Sequence, residues 1–153
     1  MESRLHHLQQ KLESMPPVAS LQLRVEHWRD GRLTLVAPLA PNVNDKGCAF
    51  GGSLASLMTL SAWGLSTLEL AHAGFEDAEV YVQDSHLHYV APLFDDLRAE
   101  AWLSDGQKWA SFIGAYRDRG KARATLRSRV LRDDGSVAAH FEGRFVALRP
   151  KSV

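Results

Sequence analysis

The sequence predicts an α+β protein, with an antiparallel sheet wrapped around one long buried helix and a short amphipathic helix ahead of it. Three observations predict this. No residue from Gly47 to Leu68 is charged, and Leu54, Leu57, Met58, Ser61, Leu65 and Leu68 recur there at helical spacing. Leu60 and Trp63 add apolar bulk on other faces, as a buried helix requires. Beyond Gly74 the chain alternates between runs rich in β-formers and turns carrying glycine, with no β-α-β alternation and no G-x-G-x-x-G.

The elements follow in order. Leu5, Leu8 and Leu12 set a short amphipathic helix over 3–13, which Met15-Pro16-Pro17 stops. Residues 19–28 read as extended, with Leu21, Leu23 and Val25 on one face. Asp30-Gly31 is a hairpin turn and 32–38 the returning strand. Residues 40–47 are polar and predict an irregular loop, which delivers the chain to Phe50-Gly51-Gly52-Ser53 and the long helix. That helix ends near His72-Ala73-Gly74, where a left-handed glycine cap fits. Strands are expected over 79–89, 96–103, 109–116, 122–131 and 136–148, joined as a meander through Ser104-Asp105-Gly106, Asp118-Arg119-Gly120 and Asp133-Asp134-Gly135. Residues 1–17 form a helical arm and 18–150 a single domain. The strand over 79–89 is expected at a sheet edge, and a long edge must be covered or paired. Two chains are therefore expected to pair there as a homodimer; a tetramer of such dimers stays open.

Composition narrows the function. Hydrophobic residues make up 45% and charged residues 24%, as in soluble globular domains. A chain this long buries roughly 70% of its unfolded surface and needs no disulfide or metal staple. Eighteen basic residues balance eighteen acidic ones, which argues against a nucleic-acid partner. The single cysteine, Cys48, cannot form an internal disulfide and fits a reducing compartment. The first residues lack the apolar core of a signal peptide. Ser53, Ser56, Thr59, Ser61, Ser66 and Thr67 interrupt the uncharged stretch, so no membrane span is expected and a cytoplasmic location is.

The chemistry-bearing segment is the loop and helix start. First-turn N–H groups have no intrahelical partner and carry the positive end of the helix dipole. Gly51 and Gly52 would let a ligand approach that backbone closely, where a developing oxyanion would be held; on pattern alone they serve equally well for tight helix–sheet packing. Asn42 and Asn44 can orient a substrate through their amides or bond their own loop. Asp45 is the one carboxylate in the loop, either a hydrolytic base or a turn residue. Lys46 could meet a phosphate. Cys48 has no base beside it in any motif, which leaves it a buried loop thiol. Asp84, His86 and His88 alternate onto one strand face with the spacing of a metal site, but no further His or Cys ligand is evident and no metal is expected. Of Arg117, Arg119, Lys121, Arg123, Arg127, Arg129 and Arg132, most alternate onto one face of a hairpin, suited to an acidic carrier protein or to the phosphates of coenzyme A, or simply solvated.

The segments Asn42-Val43-Asn44-Asp45-Lys46-Gly47-Cys48-Ala49-Phe50-Gly51-Gly52-Ser53-Leu54 and Asp84-Ser85-His86-Leu87-His88-Tyr89-Val90-Ala91-Pro92, set in this element order, resemble the hot-dog fold of acyl-thioester enzymes over nearly the whole chain after Pro17. Within that superfamily the chain looks like the single-domain relatives of the hot-dog half of a two-domain protein, in which an acetyltransferase-like domain comes first. That group carries a thioesterase label, and its members are similar to malonyl-acyl-carrier-protein decarboxylases that supply an acetyl primer for fatty-acid synthesis. Aligned on the glycine pair of phenylacetyl-type hot-dog thioesterases, the carboxylate that serves as base falls on Thr59. Their histidine falls on Phe50, and their asparagine on Asn44. The helix has no acid from Ser53 to Leu68, which speaks against hydrolysis.

Decarboxylation of a malonyl thioester needs neither base nor nucleophile. It needs the carboxylate held perpendicular to the thioester plane and donors for the enolate. The resemblance therefore implies decarboxylation of malonyl-acyl carrier protein to the acetyl form. Asn44 would position the substrate and the N–H groups at Gly51 and Gly52 would hold the enolate. Asn42, Asp45, Phe50, Ser53 and, from the partner chain, Asp84, Ser85 and His86 would line the site, with His86 or a water as proton donor. Arg117, Arg119, Lys121 and Arg123 would meet the carrier. No cofactor is implied beyond the phosphopantetheine that arrives with the substrate. Two alternatives stand beside this reading: an acyl-CoA or acyl-carrier thioesterase using Asp45 or a strand carboxylate, and a non-catalytic acyl-thioester binding module.

Overall fold

The computed structural model describes residues 2–151. In chain order its elements are helices α1 (Glu2–Glu13) and α2 (Pro16–Ala19), strands β1 (Arg24–Arg29) and β2 (Arg32–Ala37), and helix α3 (Gly51–His72). Strands β3 (Glu79–Tyr89) and β4 (Leu97–Leu103), helix α4 (Trp109–Arg119) and strands β5 (Lys121–Leu131) and β6 (Val137–Leu148) follow. The strands form one six-stranded antiparallel sheet in the order β1-β2-β4-β5-β6-β3. Asp30 (φ 53°) and Gly31 (φ 73°) make the tight turn between β1 and β2.

The sheet curls around α3, which touches every strand from β2 to β6. Leu57, Met58 and Leu65 of the helix have no exposed surface and join Leu33, Leu35, Leu126 and Phe145 of the sheet in one core. Each such side chain contributes about 1.5–3 kcal/mol of burial. The segment ahead of the sheet is docked: Leu8 and Leu12 of α1 are buried in the same core. The edge expected for β3 is observed, with β6 its one neighbour in the sheet.

Several expectations are corrected. Residues 109–116 are not a strand but most of α4. Trp109, Phe112, Ile113 and Tyr116 share a helical face, and all pack on the core. A short apolar run fits either period, and here the helical one wins. Asp118-Arg119-Gly120 is accordingly not a hairpin turn but the end of α4, capped by Gly120 in the left-handed region at φ 70°. Arg117 and Arg119 therefore leave the proposed hairpin face, and within the cationic run the alternation of exposed and covered positions is that of β5. The meander is limited to β4, β5 and β6, because β3 joins the far side of β6. Residues 19–23 are not strand; α2 precedes β1. The loop holds one 3-10 turn at Ala40–Asn42.

Candidate functional site

The loop between β2 and α3 is held from several sides. Asn42 is 2% exposed, and its amide donates to the backbone oxygens of Leu21 (2.9 Å) and Pro38 (2.8 Å). Its own carbonyl accepts from the N–H of Phe50 at 2.7 Å, and the N–H of Ala49 donates to Leu93 at 2.8 Å. Both donors of the Asn42 amide are thus spent on the loop, which makes Asn42 a brace for the helix entrance.

Asn44 works differently. Its Oδ1 accepts from the N–H groups of Lys46 (2.8 Å) and Cys48 (3.2 Å), while its Nδ2 donates to the buried Cys48 sulfur at 3.2 Å. The oxygen is fixed by two backbone donors, so the amide cannot flip, and one Nδ2 hydrogen has no partner among the described residues. Asp45 turns to solvent and pairs with Lys46 at 2.8 Å.

Helix α3 begins with no side-chain cap, at Phe50. The N–H groups of Ser53 and Leu54 return to the Phe50 carbonyl; those of Gly51 and Gly52 find no acceptor among the described residues. They are free donors at the positive end of a 22-residue helix. A Cβ on Gly51 would stand 3.7 Å from the Tyr89 ring, and one on Gly52 would strike the Phe50 ring. Phe50 and Tyr89, the rings that stand at this entrance, are both exposed. Thr59, two turns in, donates its hydroxyl to the Ala55 carbonyl at 2.8 Å.

Strand β3 splits the remaining candidates between its faces. Tyr89 faces the start of α3, and Ser85 and Leu87 share its side. Asp84 and His86 stand on the opposite face, where Asp84 forms an ion pair with Arg144 and His88 stacks on His140 at 5.1 Å. The Arg144 hydrogen bond holds the Asp84 carboxyl below its ordinary range. At the start of α3 the structure sets Tyr89 against Gly51 and Phe50 against Gly52, with Asn44 bonded to Cys48 in the loop that leads there; it does not bring Asp84 or His86 to α3 in one chain. Sequence reasoning missed Tyr89 as a site residue, though Tyr89-Val90-Ala91-Pro92 ends the strand that meets the helix entrance.

An antiparallel sheet curled around one long helix, with a short helix ahead of it, is the hot-dog fold. The chain belongs to the family described as "Putative thioesterase (yiiD_Cterm)", whose model matches residues 5–149. A Shewanella oneidensis protein that carries the thioesterase description is 30% identical, with a TM-score of 0.86, covering 98% of this chain and 100% of that one. A Chlorobaculum tepidum protein is 27% identical with a TM-score of 0.88, covering 95% and 94%. A Haemophilus influenzae thioesterase, 14% identical with a TM-score of 0.75 over 95% and 90%, shares the fold. Among the described residues no helix is long and apolar enough to cross a membrane.

Proposed function

We propose that the protein decarboxylates a malonyl thioester carried on acyl carrier protein, giving the acetyl thioester. The observation that carries this reading is a site with donors and no base. The Gly51 and Gly52 N–H groups are free, Asn44 offers one fixed amide hydrogen, and the two-turn position of α3 is Thr59, its hydroxyl already bonded within the helix.

In the proposed step Asn44 Nδ2 donates to the malonyl carboxylate and holds it out of the thioester plane. The bond between the carboxylate carbon and the α-carbon breaks, CO2 leaves, and its electron pair enters the thioester carbonyl. The resulting enolate oxygen is held by the Gly51 and Gly52 N–H groups. Each such donor is worth about 3–4 kcal/mol in the transition state. The enolate then takes a proton at carbon from water, since His86 stands on the far face of the sheet. Hydrolysis would need a base at the thioester, and Asp45, turned to solvent beside Lys46, is poorly placed for it. The open edge of β3, with Tyr81 and Val82 exposed on it, supports a homodimer joined there into a continuous sheet.

A mass-resolved time course on malonyl-acyl carrier protein tests this. The expected product is acetyl-carrier without free thiol, with the rate of Asn44→Ala lowered roughly 100- to 1,000-fold. Free thiol as the product would make the protein a thioesterase. Binding without turnover would make it a thioester-binding module.

A further inference from the structure

Helix α1 packs on the C-terminal half of α3. A Cβ on Gly64 would stand 3.4 Å from Leu8 Cδ2, so the missing side chain lets α1 come close there. One turn further along α3 a cleft of about 360 Å³ opens between the two helices. Leu8 and Leu68, both buried, make its apolar floor, and Thr67 and Ala71 of α3 flank them. Arg4, His7 and Lys11 line it from α1, one helical turn apart and so on one face. Glu76 is the one acid among the lining residues. It meets Arg4 only at 3.8 Å, and neither His7 nor Lys11 has a carboxylate partner among the described residues. Lys11 stands instead over the Trp63 ring, 5.9 Å from its centre. Thr67 departs from Thr59 and Ser66 of the same helix. Those two return their hydroxyls to Ala55 at 2.8 Å and Ala62 at 3.1 Å, but Thr67 Oγ1 is buried with no hydrogen-bond partner among the described residues. Buried polar groups are ordinarily bonded, and one that is not calls for an explanation.

We propose that this cleft is a binding site for a small carboxylate with a short aliphatic tail, separate from the start of α3. Thr67 lies 16 residues beyond Gly51 on that helix, about 24 Å along its axis, so the site does not depend on the reaction proposed above. The lining sets the ligand class. Two permanent cations and a histidine against one acid select an anion. The leucine floor selects an anion that carries a tail, which free phosphate lacks. The volume lies at the low end of small-molecule pockets, about 300–1,000 Å³, and suits an acid of a few carbons rather than a nucleotide-bearing ligand. The tail rests on Leu8 and Leu68, and the carboxylate accepts from Arg4 and Lys11. A helical threonine has two open χ1 rotamers, and a turn about that bond brings the Thr67 hydroxyl from beneath the floor into the cleft, where it donates to the same carboxylate.

Calorimetric titration tests this without any turnover. Hexanoate, hexanol and inorganic phosphate are titrated into the wild type, the double variant Arg4→Gln/Lys11→Gln, Thr67→Val and Asn44→Ala. Hexanoate should saturate at one per chain. Hexanol lacks the charge and phosphate lacks the tail, so each should bind about tenfold or more weakly. The double variant should weaken hexanoate by about tenfold or more and leave the melting temperature in place. Thr67→Val keeps the shape and removes the hydroxyl. It should weaken hexanoate by about threefold or more, while the melting temperature of the free protein holds or rises because an unmet buried hydroxyl is gone. A hydroxyl with a purely structural role would do the reverse: its loss would lower the melting temperature and leave the affinity alone. Failure of hexanoate to saturate, or equal binding of hexanol, would overturn the site. Equal binding of phosphate would overturn the part given to the tail. Loss of hexanoate binding in Asn44→Ala rather than in the double variant would place the carboxylate at the start of α3 and overturn a separate site.

Discussion

The first turn of α3 and its middle are built to opposite rules. In the middle, the buried serines are closed: Ser61 bonds the Met58 carbonyl and the Ser128 hydroxyl, both at 2.7 Å, and Ser66 bonds Ala62 at 3.1 Å. At the far end, the N–H groups of Ala73, Gly74 and Phe75 return to helix carbonyls. At the first turn, Phe50 stands where a serine or aspartate would cap the helix, at a cost of about 1 kcal/mol. Two N–H groups face the entrance unbonded, and the aromatic rings around them are exposed. Apart from the buried Thr67 hydroxyl, which has no partner among the described residues, the unmet donors of the helix lie at its first turn.

The comparison is broken most severely by emptying the middle. Leu65 has no exposed surface and lies in the single core of the domain. Leu65→Ala should lower unfolding stability by about 2–5 kcal/mol in denaturant titrations. A loss under about 1 kcal/mol would mean that α3 is held elsewhere.

The glycines of the same helix sharpen the contrast. A Cβ on Gly64 would meet Leu33 Cδ2 at 2.9 Å and Leu8 Cδ2 at 3.4 Å, inside packed core. Gly64→Ala should lose about 1–3 kcal/mol to overpacking, offset by about 1 kcal/mol of helix propensity. On Gly52 the Cβ would meet the ring of the exposed Phe50, which is free to swing outward. Gly52→Ala should keep or slightly raise stability while turnover falls, because the methyl group stands beside the donor N–H. The opposite pattern, an unstable Gly52→Ala with normal turnover per folded molecule, would return the glycine pair to a packing role.

The same division explains what the sequence made legible. Long elements with one dominant period were readable: β3 runs over 79–89 as expected, and the uncharged stretch that packs as α3 begins at the Gly-Gly pair. Residues 109–116 were misread because apolar spacing over a short segment serves both periods, and only the register of Phe112 and Tyr116 on the core selects the helix. Strand order was not readable, because a local turn joins β5 to β6 but nothing local says that β4 pairs with β5 across α4 or that β3 pairs with β6. In the site, the loop asparagines were visible as residue types. Their division of labour was not, since Asn42 finds its partners at Leu21 and Pro38 only after the chain folds. The cations of β5 appeared as one run, yet across-strand carboxylates neutralise Arg127 and Arg129 and leave Lys121 without one.

The smallest effect concerns the one acid of α3. Glu69 lies at the C-terminal end of the helix, half-buried; burial raises its carboxyl above the ordinary glutamate range, and His72 one turn on pulls it partly back. The folded protein therefore binds this proton more tightly than the unfolded chain does. Its contribution is fully present below the unfolded value and is lost as pH rises through the folded one. Wild-type stability should thus fall relative to Glu69→Gln as pH rises from roughly 4 to 7, with the variant ahead by about 0.5 kcal/mol or less at neutrality. The check is parallel unfolding titrations of both proteins across that interval. A difference that stays flat would mean that water reaches Glu69 as freely as in the unfolded chain, and that the closed middle of α3 ends a turn earlier, at Ser66.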